Sequence, residues 1–183
     1  MKCCIPAVVV VLIASSNAWA APLDSGHPLS LVLNASVQKE LALTAEQVAA
    51  VAPLLAAAVD EATTKEAMAK LAKTIDKGRR ARLTEISYQA RGATALADPD
   101  VSAKLGLSRT QTLNLVNLWR DREVDIQMVF KVTRFRDAEA KRKFSLDWRK
   151  GAEKAMLAEL TAEQKTAFEK MQGKKFDTSG VVK

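Results

Sequence analysis

The residue types that carry most protein chemistry are almost missing from this chain. His27 is the only histidine, and Cys3 and Cys4 are the only cysteines among 183 residues. His27 stands between Gly26 and Pro28, with no second ligand and no orienting group beside it, which argues against zinc, copper and haem sites and against general-base catalysis. Acidic neighbours do occur, Asp60 with Glu61 and Asp98 with Asp100. Carboxylates spaced this way on helices face solvent unless a third group converges on them, and no such group is visible. Asp98 also has a capping position. No glycine-rich phosphate loop is present. Asn34, Ala35 and Ser36 fit the N-glycosylation pattern, a three-residue match of low specificity. The expectation is a protein without catalytic residues, metal or cofactor, and not an enzyme.

The chemistry the chain does offer is cationic and aromatic. Residues 65–91 hold eight basic side chains against three acidic ones, and residues 131–154 hold nine against four. In the second stretch aromatics alternate with arginines: Phe130, Arg134, Phe135, Arg136, Phe144, Trp148 and Arg149. These seven residues are the candidate face for polypeptide or anion binding, gripping extended chain by apolar contact while long-range attraction gathers acidic partners. The plainer alternative is that the aromatics are core and the cations a solvated face, because aromatics at helical spacing usually pack inward.

Residues 1–20 read as a secretory signal. Lys2 gives the positive start, residues 5–13 form an apolar run too short to span a bilayer, and Ala18, Trp19 and Ala20 form a small-x-small cleavage site. Cleavage before Ala21 leaves 163 residues without cysteine and, with Lys2 gone, takes the net charge from +7 to +6. The expected place is therefore periplasmic or secreted. There a basic protein meets polypeptides and anionic envelope surfaces, and nucleic acid is not expected.

The elements that must position these residues are helices. Strand signals are scarce, and alanine, leucine, lysine, arginine and glutamate dominate after Pro99, the last proline. Three copies of one pattern organise the chain: Leu43, Thr44 and Gln47; Leu107, Ser108 and Gln111; Leu160, Thr161 and Gln164. Each is a capping box, in which the hydroxyl accepts the amide three residues on and the glutamine reaches back to the cap amide. Residues 37–43 align with residues 101–107 at an offset of 64, which suggests two related helical units at about 37–92 and 98–177. The expected fold is all-α, an extended hairpin or bundle of two long and several short helices with no sheet. The first long helix starts at Thr44, is kinked or reset at Pro53, has a second weak point at Gly78 and stops at Gly92; Asp98 caps a short helix with Pro99 at its first position. The second long helix starts at Ser108, and its length implies either an extended hairpin or a break near residues 143–145 or at Gly151. Residues 21–29 are expected to be a flexible leader, 30–177 one helical domain, and 178–183 a disordered tail.

With three such motifs behind a signal sequence, the chain resembles the LTxxQ-motif, Spy/CpxP-like family of exported bacterial proteins. It lies nearer to a subgroup that joins this motif to Gly-x-x-Ala-Leu-x-Asp-Pro-x-Val, here residues 92–101. The resemblance spans about residues 37–177 in spacing, though only some thirty residues in motif. It implies a helical hairpin, often a homodimer, that forms a thin curved cradle and binds non-native polypeptide without ATP. Leu43, Thr44, Gln47, Leu160, Thr161 and Gln164 carry over as structural residues. Ser108 departs from threonine but keeps the hydroxyl, and zinc-binding relatives use histidines this chain lacks. The expected role is chaperone-like or envelope-stress related. The alternative is an envelope interaction or structural protein whose basic face meets an anionic polymer, membrane surface or partner protein.

Overall fold

A computed structural model describes residues 26–181 of the chain. The signal sequence and its cleavage site lie outside the described residues. Helices follow one another as α1 (Pro28–Leu31), α2 (Ala35–Glu40), α3 (Ala45–Ala57), α4 (Glu61–Thr74) and α5 (Lys77–Arg91). After a 3₁₀ turn at Gly92–Ala97 come α6 (Pro99–Lys104), α7 (Arg109–Val132), α8 (Ala138–Ala158) and α9 (Ala162–Met171). No strand occurs among the described residues, so the fold is all-α. No helix among them is long and apolar enough to cross a membrane.

The three expected capping boxes start α3, α7 and α9, with both reciprocal bonds formed in each, and Asp60 with Thr63 forms a further one at the start of α4. In α7, the Gln111 amide donates to Ser108 Oγ at 3.2 Å and the Ser108 amide donates to Gln111 Oε1 at 3.0 Å. The other breaks fall elsewhere than the sequence suggests. The first long helix is three helices, because Asp60 and Asp76 accept the amides of Thr63 and Arg79 and open α4 and α5. Pro53 lies inside α3, which runs four residues past it. The second long helix ends at residues 133–137, not at 143–145 or Gly151: Thr133 turns extended and Asp137 caps α8 through the Ala140 amide. Gly151 sits within α8, where a Cβ would lie 3.2 Å from Arg122 Nη1 of α7, so the glycine leaves room for that guanidinium and ends no helix. Asp98 makes no side-chain cap bond. Its carboxylate instead binds the Arg91 guanidinium through both oxygens, at 2.5 and 3.0 Å.

The repeat at an offset of 64 is written in hydrogen bonds. Ala42 and Gly106 both take left-handed backbone, φ 46° and 60°. Leu43 donates to the Gln38 carbonyl and Leu107 to the Ser102 carbonyl, each at 3.0 Å, the long bond of a Schellman turn. Asn34 and Asp98 extend the correspondence upstream as the residues before α2 and α6.

Two hydrophobic clusters hold these helices. The first gathers Leu29, Leu31, Val37, Leu71, Ile75, Leu83 and Ile86 with Val181. The second gathers Tyr88, Leu96, Val101, Leu115, Met156, Leu160 and Phe168. α5 serves both, with Leu83 and Ile86 in one and Tyr88 in the other. Each fully buried leucine contributes roughly 1.5–3 kcal/mol. Both chain ends join this packing where they are described. Leu29 is fully buried and His27 Nδ1 accepts the Leu29 amide at 3.3 Å, so residues 26–29 are part of the fold and not a loose leader. Val181 is 6% exposed and the Gly180 carbonyl accepts from Asn34 Nδ2, so residues 178–181 are docked and not a disordered tail. The physical reason is the same at both ends: an apolar side chain finds an unfilled place in the first cluster.

Candidate functional site

Each motif glutamine does more than close a box. While its Oε1 accepts the cap amide, its Nε2 is free to donate across to another element. Gln47 Nε2 donates to the Thr74 carbonyl at 3.0 Å, closing the end of α4. Gln111 Nε2 donates to the Glu159 carbonyl, closing the end of α8, and to Gln164 Oε1, both at 2.8 Å. Glutamate would satisfy the capping box but has no N–H for the second bond. The second and third motifs thus meet side by side where α7, α8 and α9 converge, while the first meets α4. Their role is to fix helix ends and so to set the direction of the α7–α8 hairpin.

The far half of that hairpin carries the candidate face. Phe130 at the end of α7, Phe135 in the connection, and Phe144 and Trp148 on α8 form one continuous aromatic run. Ring centroids lie 5.8 Å apart for Phe130 and Phe135, 6.3 Å for Phe130 and Phe144, and 5.5 Å for Phe135 and Phe144. Phe144 and Trp148 follow at 5.6 Å. All four are half-buried, so they are neither full core nor free surface. Trp148 Nε1 donates to the Arg122 carbonyl at 3.3 Å and the Arg122 guanidinium lies over the indole at 5.8 Å, while Lys141 Nζ lies over Phe130 at 4.7 Å.

Of the expected arginines, Arg134, Arg136 and Arg149 are all exposed. Arg136 binds Asp137 at 2.8 Å. The Asp137 carboxyl is held below its ordinary value, first by the Ala140 amide and then by Arg136. Among the described residues Arg134, Arg149 and Arg122 have no carboxylate within ion-pairing distance. Arg149 borders a cleft of about 490 Å³. Trp119, Arg122, Phe130, Trp148 and Glu153 also line it. The structure therefore joins the four predicted aromatics in one run and brings Arg149 to the cleft that Phe130 and Trp148 line, while Arg134 is exposed in the connection and Arg136 is engaged at the turn.

Sequence reasoning missed the cleft's α7 wall, Trp119 and Arg122, and the outer face of α7. Val124, Met128 and Val132 are 49%, 59% and 78% exposed, four residues apart, and Leu113 and Val116 prolong the stripe. Leu146 is exposed on α8. The signal was in the sequence: residues 113–135 are apolar on more than one helical face, which a single-sided pattern does not require. Asn34 is engaged on all sides, accepting the Ser36 and Val37 amides and donating to Gly180, so the sequon asparagine is a structural cap.

The chain matches no family model, no curated protein and no solved structure.

Proposed function

We propose that this is an exported, non-enzymatic helical protein that binds polypeptide, with a chaperone-like or envelope-stress role. The observation that carries the reading is the outer half of the α7–α8 hairpin. It bears exposed Val124, Met128 and Val132 on one side and half-buried Phe130, Phe135, Phe144 and Trp148 on the other, beside the exposed Arg134 and Arg149. Exposed apolar side chains in a row, rimmed by charge, fit a partner that brings its own apolar residues. An unfolded chain does so without needing a fixed shape. The outer stripe of α7 is equally suited to the homodimer that the family resemblance implies, which sedimentation at working concentration tests: a monomer there contradicts that part.

The test is light scattering from a chemically unfolded client diluted into the purified protein at low and high salt. Suppressed aggregation near stoichiometry that persists at high salt is the expected result. No suppression at either salt contradicts the reading. A second reading, an anionic envelope polymer or membrane surface as partner, is favoured by the exposed Arg134 and Arg149. It predicts binding that collapses as salt is raised, because exposed charges are screened beyond about 8 Å at physiological ionic strength.

A further inference from the structure

Residues 173–181 lie on the body as a bound peptide would. After α9, Gly173 turns left-handed at φ 62° and residues 174–178 run without helix along α5. Gln89 of α5 holds this segment by its backbone: its Oε1 accepts the Phe176 amide at 2.7 Å and its Nε2 donates to the Lys174 carbonyl at 2.7 Å. One side-chain amide thus meets a carbonyl and the amide two residues on, the pairing that a neighbouring parallel strand presents. Arg82 Nη1 donates to the same Lys174 carbonyl at 2.7 Å, and Asn34 Nδ2 donates to the Gly180 carbonyl at 3.0 Å. Over residues 175–179 burial alternates as it does in added strands: Phe176 and Thr178 are half-buried, Lys175, Asp177 and Ser179 exposed. Phe176 and Val181 fill places in the first hydrophobic cluster.

None of these polar contacts reads a side chain of the docked segment. We propose that Asn34, Arg82 and Gln89 form a second polypeptide-binding groove, which takes an unstructured segment bearing an aromatic residue and which the C-terminal segment occupies and keeps closed. The proposal takes its class of partner from the polypeptide-binding reading but stands on different residues from the hairpin.

The experiment uses the full chain and a fluorescent peptide copying residues 173–181, read by anisotropy. A tethered segment competes at millimolar effective concentration, so the unaltered chain should bind the peptide weakly. Phe176→Ala loosens the tether and should tighten peptide binding ten-fold or more. Adding Gln89→Ala to that variant should weaken it again ten-fold, with unchanged far-ultraviolet circular dichroism. Equal affinity for all three chains, or an equally good peptide with alanine at the Phe176 position, overturns the groove. If Phe176→Ala fails to fold, amide exchange in the unaltered chain replaces it: excess peptide should speed exchange at Phe176 and Val181, and unchanged protection overturns the proposal. An unrelated unfolded peptide containing phenylalanine should compete, and failure to compete overturns recognition by backbone. The two proposals separate cleanly. Peptide binding without aggregation suppression sinks the chaperone reading and leaves the groove; suppression without peptide binding does the reverse.

Discussion

The body and the outer hairpin are built from the same helices to different standards. In the body, Leu29, Leu71, Ile86, Leu96 and Leu115 are fully enclosed. Beyond Trp119 on α7, Ile126 is the only buried residue described on that helix, while Val124, Met128 and Val132 stand in solvent. The hairpin end is held by aromatic edges and cations over rings, interactions worth about 0.5–1.5 kcal/mol each. The difference teaches that the enclosed packing lies in the body, and that the proposal of a partner rests on apolar surface the hairpin leaves exposed.

The largest effect should come from the body. Leu96→Ala empties a fully enclosed site and should cost about 3 kcal/mol, lowering Tm by roughly 6–12 °C in thermal unfolding. Phe144 touches Phe130, Phe135 and Trp148, yet Phe144→Ala should cost only about 1–2 kcal/mol, since its site already opens to water. A loss as large as that of Leu96→Ala would erase the distinction between the two regions.

The junction between the regions is next. Gln111→Glu keeps the capping acceptor but removes the donor to Glu159 and Gln164, and should cost about 1 kcal/mol in urea unfolding. If Gln111→Glu unfolds like the unaltered chain, the cross-helix bonds are not what selects glutamine.

Smaller changes sharpen the contrast between the two repeats. Ala42 holds a left-handed conformation that Gly106 adopts without a Cβ. Ala42→Gly should therefore stabilise by about 1 kcal/mol and Gly106→Ala should destabilise by a similar amount, checked by the sign of the Tm shifts.

Acid should act where a carboxylate sits at a helix start. Asp60, Asp76 and Asp137 are lowered by the amides of Thr63, Arg79 and Ala140, so their contribution is full above the ordinary aspartate value of 3.8 and is lost as pH falls through the lowered values. α3 and α9 carry first-turn glutamates that are lowered too, Glu46 first by the Thr44 hydroxyl and Glu163 first by its own amide and then by Thr161, whereas the first turn of α7 holds no carboxylate. Amide exchange in acid should therefore rise at the starts of α3, α4, α5, α8 and α9 before it rises at the start of α7.

Much of this was legible beforehand, in local chemistry. Thr44, Ser108 and Thr161 announce helix starts because the hydroxyl and the glutamine sit at the spacing a capping box needs. Asp60, Asp76 and Asp137 perform the same task without that pattern, so the breaks beside them were misplaced. The position of Gly151 reads as a helix end until the Arg122 side chain against it is known. The docking of Leu29 and Val181 joins residues about 150 positions apart, which no local pattern encodes. The aromatic and arginine residues were recognisable as a group, but their half-buried state depends on how far the hairpin extends past the body.

The central claim is that the hairpin's exposed stripe serves a partner and not the fold. The direct measurement pairs thermal unfolding with aggregation suppression for the chain carrying Met128→Ser and Val132→Ser. The account predicts a Tm within a degree or two of the unaltered protein and suppression largely lost. Suppression retained in full, or a fall in Tm like that of Leu96→Ala, would contradict it.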